Sequence, residues 1–112
     1  MSKFITDEMM EEALNFLATC SEHLAEARAM RFRAEHNRKR VRANLILQSN
    51  EKSAVMREAW AEQHESYSKA IDFECEAIRM DEYYRAERNR FDAVIEAWRS
   101  EQANQRAGQN FK

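Results

Sequence analysis

Tight turns need residues that this chain almost lacks. Among 112 residues there is one glycine, Gly108, and no proline. Glycine supplies positive φ and proline presets φ, so hairpins built on them are out of reach. Ala, Glu and Arg dominate instead, and 34% of residues are charged, which is the composition of long helices. The fold expected is all-α: a long antiparallel helical hairpin or coiled-coil-like bundle, completed by oligomerisation. At this length it is a single domain.

The apolar spacing agrees. One row of seven-residue steps is Met10, Leu17, Leu24, Arg31, Arg38, Leu45; a second is Ala13, Cys20, Ala27, Ala34, Val41. Two heptad rows are the coiled-coil pattern. The second is made of small residues, so a partner helix can approach closely. Thr6 is placed to cap the first helix, with Asp7 and Glu8 on the favourable side of its dipole.

The first helix is expected over about 7–62, with a possible break at 48–53, where the sequence reads QSNEKS. The apolar pattern crosses that point at an eleven-residue offset, from Leu45 to Met56, which suits a continuous helix. The reversal is therefore placed at 63–66, with Ser66 as a candidate cap. A last helix is expected over about 67–106, with the row Ala70, Ala77, Tyr84, Phe91, Trp98. Gly108 suits a helix end, and 107–112 reads as a frayed tail. A turn at 64–65 sets Arg31 against Trp98 and Arg38 against Phe91, for cation–π contact. It leaves 7–22 without a partner, exposing Met10, Leu14, Leu17 and Leu24 as an oligomerisation surface.

Charge is distributed in blocks. Residues 28–42 carry six arginines and one lysine against Glu35, a net +6. Residues 7–26 are net −6 and residues 51–82 net −5. A solvated helix mixes signs at i,i+4, and one glutamate cannot answer seven bases. Arg28, Arg31, Arg33, Arg38, Lys39, Arg40 and Arg42 are therefore the candidate binding residues, for single-stranded DNA phosphates or an acidic protein surface. Phe32 lies among them, where it can stack on a base. The plain reading of the two arginines on the seam is that their stems pack and their heads reach solvent.

No catalytic residues, metal ligands or cofactors are indicated. His23, His36 and His64 come three residues after Cys20, Arg33 and Ala61, so none forms the Glu-x-x-His pair of helical metal sites. No phosphate-binding loop or nucleophile motif is present. Cys20 and Cys75 read as small buried residues rather than a disulfide. Mean hydropathy is −0.85 and no apolar run approaches the roughly 20 residues of a membrane span. With no secretory signal in MSKFITDEMM, the expected location is the cytoplasm.

Two stretches, KSAVMREAWAEQHESY at 52–67 and VIEAWRSEQANQR at 94–106, resemble small helical bacteriophage proteins encoded beside recombination or replication genes. A basic helix, a turn and a second helix are also similar in kind to UvsY-type recombination mediators, an architectural likeness that transfers no functional residue. The resemblance implies a non-enzymatic accessory protein in the bacterial host cell, oligomeric, working with single-stranded DNA, a recombinase or a single-strand-binding protein. The alternatives are an anti-CRISPR-like inhibitor of a host defence protein, and a purely structural oligomerisation module.

Overall fold

The computed structural model describes residues 5–110 and is all-α. It has three helices: α1 over Asp7–Gln48, α2 over Ala54–Gln63 and α3 over Glu65–Asn110. α1 begins as its sequence suggests. Met9 N–H donates to Thr6 Oγ1 at 3.1 Å, and Asp7 and Glu8 occupy the first turn, where carboxylates oppose the dipole's positive end.

The chain reverses at 49–53, not at 63–66. Serines build this turn without glycine. Ser49 N–H closes α1 on the Leu45 carbonyl at 3.1 Å, and its hydroxyl accepts from Glu51 N–H at 3.2 Å. Ser53 then caps α2 from an extended conformation, accepting from Met56 N–H at 3.1 Å. Arg57 Nε donates to the Glu51 carbonyl at 2.7 Å. None of the described non-glycine residues needs positive φ.

The expected turn at 63–66 is instead a one-residue interruption. His64 is extended, at φ −71° and ψ 142°. Its carbonyl accepts from Tyr67 and Ser68 N–H, and its Nδ1 accepts from Ser66 N–H at 3.1 Å. His64 is thus the cap of α3, the role expected of Ser66. At the other end α3 continues through Gly108 to Asn110, so 107–110 is helical rather than frayed; residues 111–112 of the expected tail lie outside the described residues.

The chain divides into two compact units. The larger core-forming stretch, Ala25–Glu82, contains the end of α1, all of α2 and the start of α3. Its buried residues are chiefly alanines: Ala27, Ala34, Ala61, Ala70 and Ala77, with Leu45. Side chains this small let helix backbones pack closely. Within this unit α1 runs antiparallel to α2 and α3, with Arg42 against Glu62, Arg38 against Glu74 and Arg31 against Asp81.

The second unit takes the described residues up to Leu24 and those from Tyr83 onward. Here the packing is aromatic. Phe16 and Phe91 have ring centroids 4.7 Å apart, and His23 stacks on Tyr84 at 5.3 Å with an interplanar angle of 6°. Ile5 N–H donates to Glu101 Oε1 at 3.3 Å. Ile5, Ala13, Cys20 and Phe91 are buried. Residues 7–22 therefore do have a partner in their own chain. Met10, Leu17 and Leu24 are half-buried and only Leu14 of the four expected oligomerisation residues is exposed.

Candidate functional site

The seven cationic side chains over 28–42 do not face outward together, as their composition suggests. The structure separates them into two groups. Heptad row positions 31 and 38 lie toward α3, and α3 presents acids there at the same seven-residue spacing, Glu74 and Asp81. Arg31 Nη1 donates to Asp81 Oδ2 and to Glu82 Oε1, both at 3.0 Å. Asp81 is 1% exposed, so this pair sits at the edge of the core. Arg38 Nε donates to Glu74 Oε2. Arg42 Nη2 reaches Glu62 Oε1 at 3.1 Å and Glu58 at 4.0 Å. Lys39 pairs with Glu35 at 3.1 Å along the helix. These hydrogen bonds favour the charged form of the paired groups. Asp81 and Glu82 hold the Arg31 guanidinium above its ordinary value, Glu74 and Tyr67 do so for Arg38, and Lys39 draws Glu35 below its own.

The cation–π pairs expected from the other register do not form. Arg31 meets Asp81 and Glu82 rather than Trp98, because moving the turn to 49–53 shifts the antiparallel alignment. Phe91 packs on Phe16 instead, with Arg90 over its ring at 4.2 Å.

Arg28, Arg33 and Arg40 form the second group. All three are exposed, and among the described residues none has an ion-pair partner. The helical period explains this. Ala27, Ala34 and Leu45 fix the buried side of α1. Phe32, His36, Arg40, Ala43 and Leu47 step by three and four residues along the opposite side. Arg33 and Arg28 lie on its two borders. Phe32 is 62% exposed and Leu47 80%. The His36 ring meets Phe32 edge-on, with centroids 4.4 Å apart and a 63° interplanar angle, which fixes the aromatic face. No acid falls on the stripe from 32 to 47. The result is a basic, partly aromatic face about 20 Å long, at 1.5 Å per residue.

The remaining histidines and cysteines have structural places. His23 is stacked on Tyr84 and His64 caps a helix. Among the described residues no group of three His, Cys, Asp or Glu side chains is arranged to hold a metal ion. Cys20 is buried and Cys75, expected to be buried, is exposed; both are free. No helix of the described residues is long and apolar enough to cross a membrane. Sequence reasoning missed the inward acids Glu74 and Asp81. The signal was present, since they repeat with Ala70 and Ala77 at the spacing of Arg31 and Arg38. Compared with known proteins, the chain matches no family model, no curated protein and no solved structure.

Proposed function

We propose that this chain is a non-enzymatic helical accessory protein of DNA recombination or replication that holds single-stranded nucleic acid on the outer face of α1. The observation that carries this reading is the pairing of unanswered cations with an exposed aromatic ring. Among the described residues no acid pairs with Arg28, Arg33 or Arg40, and Phe32 is 62% exposed between them. Phosphates answer the arginines by counterion release. A base answers the ring by stacking, which duplex DNA, with its bases already stacked, cannot offer. A net charge of −2 over the chain further disfavours tight, non-specific duplex binding. The resemblance of residues 52–67 and 94–106 to phage recombination-module proteins supports the setting, not the contact.

The number of free arginines gives the reading a quantity. Three phosphate contacts on a single strand give a log–log salt slope of about −2. Fluorescence anisotropy with a labelled single-stranded oligonucleotide at several salt concentrations measures it. Phe32→Ala should weaken binding by about 1–3 kcal/mol if the ring stacks. Absence of binding at low salt would remove the proposal.

A further inference from the structure

The basic face of α1 has a counterpart of opposite sign in the same sequence. Earlier in α1, Glu8, Glu11, Asn15, Ala18 and Glu22 step by three and four residues, so they too form one stripe. Ala13 and Cys20 mark the buried side there, and Glu11, Ala18 and Glu22 lie away from it. Glu8, Glu11 and Glu22 are exposed and, among the described residues, have no ion-pair partner. Leu14, 53% exposed, borders this stripe. One surface is thus cationic with Phe32 and Leu47 exposed, the other anionic with Leu14 exposed. Both are α-helical surfaces of similar length, and alanines at 18 and 43 permit close approach.

We propose that the acidic stripe of one copy docks on the basic face of α1 in a second copy, and so masks the nucleic-acid site when no nucleic acid is bound. This rests on the same basic face as the reading above. It also places self-association elsewhere than on Met10, Leu17 and Leu24, which the chain half-buries by itself. Charge complementarity identifies the occupant. Each copy carries both signs, so each can supply what the other lacks. Carboxylates at helical spacing take the place of phosphates, and Leu14 covers part of the exposed apolar surface. The two occupants exclude each other, so nucleic acid should dissociate the self-associated form. Since the contact is between exposed charges, salt should weaken it.

Two charge-reversed variants test it. Arg33→Glu/Arg40→Glu makes both surfaces acidic; Glu11→Lys/Glu22→Lys makes both basic. All four positions are exposed on helix surfaces, and circular dichroism confirms that helix content is kept. Sedimentation velocity at low salt should show the wild-type chain, 13.3 kDa, associating with itself. Each variant alone should associate at least tenfold more weakly, and an equimolar mixture of the two should recover association. A monomeric wild type at low salt, association that survives in either variant, or a mixture that stays monomeric would overturn the proposal. Oligonucleotide anisotropy separates it from the binding reading. Glu11→Gln/Glu22→Gln, which removes the acidic stripe without building a second basic surface, should bind the oligonucleotide several-fold more tightly than wild type once the mask is gone. A monomeric wild type that binds oligonucleotide sinks only the masking. Recovered association in the mixture with no oligonucleotide binding by any form sinks only the nucleic-acid site.

Discussion

The two units of this protein solve the same problem with different chemistry. In the unit containing Tyr83 onward, aromatic rings meet between α1 and α3: half-buried Phe16 on buried Phe91, and exposed His23 on half-buried Tyr84. In Ala25–Glu82 the seam is alanine, and ion pairs of Arg31, Arg38 and Arg42 line its border. A ring buries far more apolar surface than a methyl group, so the first unit draws on the hydrophobic effect. The second brings backbones together over small side chains and uses paired charges to set register. Burying a carboxylate such as Asp81 is costly unless it is paired, so misaligned helices are penalised. Arginines on a heptad row can thus belong to the fold, and the ones left available to a partner, Arg28, Arg33 and Arg40, all lie off it.

Truncating the aromatic seam should give the largest effect. Phe91 is 3% exposed, and Phe91→Ala should lower stability by about 3–5 kcal/mol. Chemical denaturation gives the total, and hydrogen exchange should show the protection lost first around Phe16 and Phe91. Enlarging the alanine seam comes next. Ala34 is fully buried, so Ala34→Leu should cost about 2–3 kcal/mol through overpacking. A neutral result would mean that the helices of that unit are not close-packed. Removing the buried acid should be milder. Asp81→Ala should cost about 1–2 kcal/mol by denaturant titration, from loss of a hydrogen-bonded partner at the core's edge. An unchanged midpoint would show that the Arg31–Asp81 contact contributes nothing to register.

The smallest effect belongs to exposed pairs. Arg79 donates to Glu76 three residues before it and holds that carboxyl below its ordinary value of 4.5. A depressed folded value contributes stability above the ordinary value, and loses it as pH falls through the folded one. Glu76→Gln should therefore leave the thermal midpoint almost unchanged at pH 7, as exposed pairs contribute little. It should slightly flatten the loss of stability below about pH 4.5. A large loss at pH 7 would contradict the description of this pair as exposed.

Much of this arrangement is legible in the sequence. Thr6 and Asp7 mark the start of α1, and the row Ala13, Cys20, Ala27, Ala34 is buried as its spacing indicates, with Val41 half-buried at its end. The turn is misplaced by sequence reasoning for a physical reason. Ser49 closes α1 through its N–H and holds the Glu51 N–H with its hydroxyl, and Ser53 caps α2 through its hydroxyl, without the glycine that usually marks a reversal. The eleven-residue offset from Leu45 to Met56 imitates a continuous helix. That single displacement assigns Arg31 and Arg38 aromatic partners instead of Asp81 and Glu74, and leaves residues 7–22 without a neighbour. The basic block is visible from its composition. Its division is not, because whether an arginine is answered depends on which helix lies beside it. Sequence spacing alone gives α1 a buried side, and only the alignment of α2 and α3 shows which cations they answer.

The most direct test sets the two groups of arginines against each other. Arg33→Ala/Arg40→Ala and Arg31→Ala/Arg38→Ala each remove two positive charges from the same helix. Oligonucleotide affinity and thermal midpoint should be measured for both. The first pair should abolish most binding with the midpoint unchanged, while the second should lower the midpoint and leave binding by the folded protein close to wild type. Equal loss of binding in both variants would contradict this, since the face would then be a matter of total charge and not of which cations the fold leaves open.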